Sequence, residues 1–180
     1  EGSQLGDNYK PLYDIVSEKT MVNAIIGLLA TGGSTNHTLH LIAMAKSAGI
    51  QISWNDFSDL SAVIPSLVKM YPNGSADVNY FQACGGMSYL IRELLENGLL
   101  HEDVSTILGK GLKAYTKEPF IKDTKLVWRE GPKSSLDEKV LTSVQNAFSM
   151  TGGLKMLKGN LGNSVIKISA VAKKNWIVEA

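Results

Sequence analysis

Residues 21–49 read MVNAIIGLLATGGSTNHTLHLIAMAKSAG, in which a Gly-Gly pair separates two helical patterns. The first pattern predicts a helix over Pro11–Ala30, because proline fits the first turn of a helix and the second half of this stretch is apolar on nearly every side. The second helix carries apolar side chains at helical spacing, and its favoured N-caps are Ser34, Thr35 and Asn36. The sequence therefore predicts a buried helix, a glycine turn and a second helix in succession.

The start of that second helix is a candidate anion-binding site. The first four N–H groups of a helix lack intrahelical partners, and together with the positive end of the helix dipole they attract a carboxylate or phosphate oxygen. Ser34, Thr35 and Asn36 add side-chain donors at this position. A plain capped helix start explains the same pattern, because Gly-Gly followed by serine or threonine is common at helix junctions. The spacing alone leaves both interpretations open.

The rest of the chain predicts further helices, then strands. Helices are predicted from N-cap residues and helical apolar spacing over Asn55–Ile64, Asp77–Ala83, Met87–Leu95 and Glu102–Tyr115. Strand-like segments rich in β-branched and aromatic residues are Ile50–Trp54, Leu67–Tyr71, Val165–Val171 and Trp176–Val178.

The domain organisation follows from a change of composition at Lys117, where charged and turn-forming residues replace the apolar stripes as far as Ser135. We predict an α/β protein, with a mostly helical N-terminal domain segment followed by a linker and the start of a β-rich C-terminal domain. The predicted boundaries are residues 1–116 for the helical segment, 117–150 for the linker and 151–180 for the β-rich part.

Composition excludes several classes of partner. Of the residues, 44% are hydrophobic and 19% charged, which is typical of a globular protein. The 18 basic and 17 acidic side chains form no run of like charges, so neither nucleic acid nor a membrane surface is expected as a partner. The most apolar stretch, Met21–Ala30, is shorter than the roughly 20 residues of a membrane span. A single cysteine and no recognisable leader favour the cytoplasm.

Three other features are weaker candidates for chemistry. His37 and His40 share a helix face, which permits a metal pair or an acid and a base, but without a third ligand nearby we favour a structural or substrate-contacting role. Cys84 alone cannot hold an iron-sulfur cluster, which usually needs three or four thiolates, and a buried apolar role is favoured. The glycine-rich run Lys158–Asn163 precedes a strand instead of a helix, which predicts a tight turn.

Several of these segments resemble the dihydroxy-acid and 6-phosphogluconate dehydratases. The similar segments are Asn23–Ile50, Asp77–Val104 and Gly152–Val171, and GGSTN is the most specific element. His37 directly after Asn36, the phrase YPNGSADVNYFQA at 71–83 and the phrase WREG at 128–131 resemble the phosphogluconate branch of the family.

The resemblance implies a hydro-lyase that converts 6-phosphogluconate to 2-keto-3-deoxy-6-phosphogluconate in the Entner-Doudoroff pathway. It also implies a [4Fe-4S] cluster that acts as a Lewis acid on the departing hydroxyl, a base that takes the α proton, and a homodimer. The family's cluster-binding and catalytic serine segments are absent from this sequence, so we expect the cluster ligands outside it and no metal site within it. The fragment alone is expected to be inactive. The expected contacts with a phosphorylated sugar acid are Gly33, Ser34, Thr35, Asn36 and His37.

Two alternatives remain at this point. The first lies within the family: a dihydroxy-acid dehydratase of branched-chain amino-acid synthesis, whose apolar substrate carries no phosphate, so that a basic or histidine-bearing phosphate subsite separates the two. The second is a non-catalytic module that binds anions or serves assembly. A thermal shift on addition of 6-phosphogluconate without iron or turnover would favour that module.

Overall fold

A computed structural model of the chain describes residue 7, residues 9–171 and residue 177. The helices are α1 (Glu18–Thr31), α2 (Thr35–Ser47), α3 (Trp54–Val63), α4 (Val78–Ala83) and α5 (Gly86–Glu96). The strands are β1 (Ser105–Thr106), β2 (Gly109–Lys110), β3 (Lys117–Lys122), β4 (Lys125–Glu130), β5 (Lys155–Gly159) and β6 (Gly162–Ile166), paired in sequence order as three antiparallel hairpins. This order of helices followed by strands confirms the predicted α/β class.

The first helix, α1, lies in the core but starts later than predicted. It begins at Glu18 because Ser17 forms a capping box with Thr20: the Thr20 N–H donates to Ser17 Oγ (3.4 Å), and the Ser17 N–H donates to Thr20 Oγ1 (2.8 Å). The predicted start at Pro11 is therefore wrong, and only a short 3₁₀ turn follows that proline. The predicted burial of α1 is confirmed, and no helix in the described part of the chain is long and apolar enough to span a membrane.

The third helix, α3, begins at Trp54, one residue before the predicted start. The Asp56 carboxylate accepts a hydrogen bond from the Ser53 N–H (2.6 Å), which fixes the first turn. Ile50–Trp54, which the sequence predicted as β-prone, forms no strand because these residues lead into this cap.

The predicted ends of α4 and α5 are confirmed. Asp77 caps α4, because its Oδ1 accepts a hydrogen bond from the Tyr80 N–H (2.8 Å). The last helix, α5, ends at Asn97, and Gly98 follows with a positive φ of 68°.

One cluster of buried side chains joins α1, α3 and α5 to later segments of the chain. Leu67 and Leu141 are fully buried within it, and the Leu67 N–H donates to the Ala30 carbonyl (2.8 Å) at the end of α1. The predicted strand Leu67–Tyr71 is present only as isolated bridges, since each neighbouring segment pairs with it at a single position. The core therefore brings residues 66–70 against the C-terminal end of α1.

The predicted helix at Glu102–Tyr115 is wrong. The chain there forms the β1–β2 hairpin and a 3₁₀ turn at Lys113–Thr116. Gly109 and Gly111 adopt φ values of 126° and 82°, which lie outside the helical region and which glycine adopts without strain.

The predicted linker contains a regular element, the β3–β4 hairpin. Its turn lies at Asp123 and Thr124, both with positive φ. Both faces of the hairpin carry exposed apolar side chains, because the strand neighbours Phe120 and Ile121 are both exposed. Arg92 of α5 anchors the base of the hairpin, because its guanidinium donates to the carbonyls of Thr116 (3.1 Å), Gly131 (2.9 Å) and Pro132. The change of composition at residue 117 therefore marks a hairpin, and the domain boundaries stay a prediction.

Replacing Arg92 with methionine should loosen the β3–β4 hairpin. Three carbonyls lose a charged donor that is only 13% exposed, so the free energy of local opening should fall by about 2–4 kcal/mol. Amide hydrogen exchange in β3 and β4 measures this change. Arg129→Met is the matched control, because its ion pair with Glu118 (3.2 Å) involves a half-exposed arginine and should contribute less than about 1 kcal/mol. Equal exchange in the two variants would contradict the anchor.

The last described elements form the β5–β6 hairpin. The predicted tight turn within Lys158–Asn163 is confirmed, since Gly159 pairs with Gly162 across it. The predicted strand Val165–Val171 is correct only for its first two residues, because Ile168–Ala170 forms a 3₁₀ turn. The strand predicted at Trp176–Val178 lies outside the described residues except for Ile177.

Candidate substrate-binding site

The junction between α1 and α2 is a glycine turn followed directly by a capped helix. Gly32 ends α1 with φ 60°, and the Gly33 N–H donates back to the Leu28 carbonyl (3.1 Å). Ser34 is the N-cap of α2, where its Oγ accepts a hydrogen bond from the Asn36 N–H (3.3 Å). The cap predicted at Ser34 is therefore confirmed. The His37 N–H donates to the Ser34 carbonyl (3.0 Å), so of the first three N–H groups of α2 only that of Thr35 has no hydrogen bond within the described residues.

Two side chains from distant parts of the sequence hold this junction in place. Asn73 donates through Nδ2 to the Gly32 carbonyl (3.0 Å), and its Oδ1 lies 3.0 Å from Ser169 Oγ. The Ser169 N–H and Oγ both lie 3.3 Å from the Gly153 carbonyl. The backbones are also close, because a Cβ atom on Gly153 would lie 3.1 Å from the Gly32 Cα. Residues 32, 73, 153 and 169 thus form one connected group of contacts around the glycine turn.

A cavity of about 250 Å³ lies beside the first turn of α2, and we call it the β6 cavity. The polar residues along it are Thr35, Asn36 and Thr38 of α2 and Asn163 and Ser164 of β6. Its apolar wall consists of Leu39, Trp54, Met156 and Val165. Hydroxyl and amide groups opposite an apolar wall are suited to a small polyhydroxylated ligand.

The five predicted contact residues take different places around this cavity. Thr35 and Asn36 line it, whereas Ser34 acts as the cap and Gly33 packs against Leu28. His37 is exposed and is not one of the residues that line the β6 cavity. Two of the five predicted contact residues, Thr35 and Asn36, therefore line the β6 cavity.

Sequence reasoning missed the residues contributed by other segments. Asn163 ends the run that was predicted only as a tight turn, and Ser164 follows it. Asn73 lies in the quoted phrase YPNGSADVNYFQA, and Ser169 lies within a segment predicted as a strand. The resemblance at these phrases was a signal, but only the folded chain shows that they meet at the α1–α2 junction.

No metal centre is present in the part of the chain that the structure describes, because no group of three His, Cys, Asp or Glu side chains lies close enough to hold an ion. The sole cysteine, Cys84, is 2% exposed and packs in the hydrophobic core. The described residues therefore do not fit an iron-sulfur cluster, which needs several thiolates.

Cys84 should be unreactive in the folded protein. Burial raises the pKa of its thiol, the negative charge of Asp137 raises it further, and the thiolate is the nucleophilic form. Alkylation by iodoacetamide near pH 8, followed by peptide mass spectrometry, should leave Cys84 unmodified in native protein and modify it in guanidinium chloride. Rapid modification of the native thiol would contradict this environment.

Comparison with known proteins places the chain in a family. The profile of the dihydroxy-acid/6-phosphogluconate dehydratase N-terminal region matches residues 3–115, which is more than half of the chain. The chain therefore belongs to the dihydroxy-acid/6-phosphogluconate dehydratase family, as the resemblance predicted.

The chain is similar to phosphogluconate dehydratases and, less closely, to a dihydroxy-acid dehydratase. The chain is 60% identical to a phosphogluconate dehydratase of Pseudomonas aeruginosa over 96% of its length, and 55% identical to that of Escherichia coli over 97%. It is 36% identical to a dihydroxy-acid dehydratase of Sulfurisphaera tokodaii over 87% of its length. It spans 28%, 29% and 26% of these three proteins, respectively, which is less than a third of each.

Proposed function

We propose that the full-length protein that carries this chain is a hydro-lyase that removes water from 6-phospho-D-gluconate and yields 2-dehydro-3-deoxy-6-phospho-D-gluconate, a step of the Entner-Doudoroff pathway. The observation that carries this proposal is the 60% identity to a phosphogluconate dehydratase across 96% of the chain. The 36% identity to a dihydroxy-acid dehydratase is much lower, which ranks that activity second.

The part of this chain in the reaction is to bind and orient the substrate at the start of α2. In this proposal Gly33, Ser34, Thr35, Asn36 and His37 form the contact segment. The side chains of Thr35 and Asn36 face the β6 cavity and donate hydrogen bonds to substrate oxygens. The Thr35 N–H and the dipole of α2 stabilise a negatively charged oxygen placed at the first turn.

The described residues do not supply a metal centre for the chemical step. Hydroxide is a poor leaving group and the α proton is weakly acidic, so an acid or Lewis acid and a base are both required. The iron-sulfur cluster belongs to the proposal as the Lewis acid of the full-length enzyme, with ligands from residues outside this sequence. A homodimer and a cytoplasmic location are also part of the proposal.

The test offers both family substrates to one preparation. The full-length protein, reconstituted anaerobically with iron and sulfide, receives 6-phosphogluconate and a branched dihydroxy acid in parallel, and the keto acid is detected. Turnover of 6-phosphogluconate alone is the expected result. Preference for the dihydroxy acid would favour the alternative activity. A thermal shift by 6-phosphogluconate without turnover of either substrate would favour the binding module.

A further inference from the structure

A second cavity, which we call the Lys69 cavity, is lined in part by Asn73, Gly153 and Ser169, which lie against the glycine turn between α1 and α2. Its volume is about 400 Å³, and its polar wall contains Ser66, Lys69, Asn73, Ser149, Thr151 and Ser169. The lining thus has one cationic side chain, four hydroxyl groups and no carboxylate among the described residues. Such a wall favours an anion that also accepts several hydrogen bonds.

The ammonium of Lys69 is held at the wall of this cavity without a counter-ion. Its Nζ lies 4.3 Å above the centre of the Phe148 ring, and Phe148 also lines the cavity. Within the described part of the chain, no carboxylate oxygen lies within 4.0 Å of this Nζ, since no ion pair includes it. The positive charge is therefore available to an anion in the cavity.

Ser66 presents an unused hydroxyl group to the same space. The residue is 5% exposed, and its Oγ forms no hydrogen bond with any described residue. This Oγ is not sealed inside the protein either, because the described residues contain no fully buried side-chain oxygen without a partner. Ser66 is one of the residues that line the Lys69 cavity. A buried hydroxyl without a protein partner calls for a ligand or a water as its partner.

The remaining hydroxyl groups are already oriented by local hydrogen bonds. Ser149 Oγ and Thr151 Oγ1 lie 3.1 Å apart, and Ser169 Oγ lies 3.0 Å from Asn73 Oδ1. Asn73 in turn bonds to Gly32, which connects this cavity directly to the glycine turn before α2. Because Thr35 follows Gly32 by three residues, their Cα atoms lie at most about 11 Å apart.

We propose that the Lys69 cavity binds the phosphate group of the sugar-acid substrate, with Lys69 as the cationic contact and Ser66 as a hydroxyl donor. This inference rests on the proposed function, because it assigns a place to the phosphate that separates 6-phosphogluconate from a dihydroxy acid. The carbon chain of the substrate then extends past the glycine turn toward the first turn of α2.

The test uses Lys69→Gln in the full-length protein, with Lys139→Gln as the matched control. Lys139 is also an exposed lysine, and both lysines line the neighbouring cleft that contains Asp77 and Asp137, but only Lys69 also lines the Lys69 cavity. Loss of a charged hydrogen-bond partner should raise the Kd for inorganic phosphate and the KM for 6-phosphogluconate by at least about tenfold, with kcat little changed. Lys69→Arg should retain most of the binding, and Lys139→Gln should behave as the parent protein.

Phosphate binding by calorimetry separates this inference from the proposed function. Weaker phosphate binding by Lys69→Gln in a protein that does not dehydrate 6-phosphogluconate would support the cavity and overturn the proposed function. Turnover with unchanged KM and unchanged phosphate affinity in Lys69→Gln would overturn the cavity and leave the function standing. Ser66→Ala provides a second variant, and a phosphate affinity equal to that of the parent in both variants would overturn the proposal.

Discussion

Gly32→Ala should lower the free energy of local unfolding at the α1–α2 junction by about 4 kcal/mol. A residue other than glycine at φ 60° costs about 1–3 kcal/mol. The new Cβ would also lie 2.3 Å from Asn73 Nδ2 and 3.2 Å from Ser169 Oγ, so both side chains must move and their hydrogen bonds weaken. Thermal unfolding and amide hydrogen exchange over residues 28–37 of the full-length protein measure the effect.

Gly27→Ala is the matched control for this prediction. Gly27 lies within α1, and a Cβ atom there would meet no atom within 4 Å. Alanine is favoured over glycine in a helix by about 1 kcal/mol, so this variant should be at least as stable as the parent. Equal stability of the two alanine variants would show that the junction does not require glycine.

The double variant Thr35→Val and Asn36→Ala should reduce kcat/KM for 6-phosphogluconate by about 100-fold. Both side chains line the β6 cavity, and each lost donor to a charged substrate oxygen costs about 1.5–3 kcal/mol. Valine keeps the shape of threonine, and Asn36 is exposed, so the fold should remain stable. Steady-state kinetics together with thermal unfolding distinguish lost binding from lost structure.

Ser47→Ala is the control for that variant. Ser47 lies at the other end of α2, where its hydroxyl bonds, among the described residues, only to the Ala43 carbonyl (3.0 Å). Its kinetics should match those of the parent protein. Parent-like kinetics in the double variant as well would remove the start of α2 from the substrate site.

The helices with strong local signals could be predicted from the sequence. Ser34 and Asp77 are good caps, and α5 has an apolar stripe and a clear stop at Asn97. The predictions failed where tertiary contacts or glycine geometry decided the structure. The helix predicted at Glu102–Tyr115 is wrong because two glycines leave the helical region. The hairpin Lys117–Glu130 was missed because its apolar side chains stay exposed and its charges resemble those of a linker.

The candidate site was only partly predictable for a related reason. The sequence identified the start of α2, because a cap and a glycine turn are local features. It could not show that Asn73 and Ser169 bond to each other beside Gly32, since 96 residues separate them. The sequence also gave no reason to select Lys69. This residue lies beside two cavities because its neighbours Ser66 and Val68 pair with residues 149 and 141, far along the chain.

The most direct measurement is a crystal structure of the full-length protein with 6-phosphogluconate bound. We expect a substrate oxygen within about 3.5 Å of the Thr35 or Asn36 side chain, or of a first-turn N–H of α2. The opposite result is a substrate bound elsewhere, with another part of the protein packed over the first turn of α2. That arrangement would contradict the assignment of this segment to substrate binding.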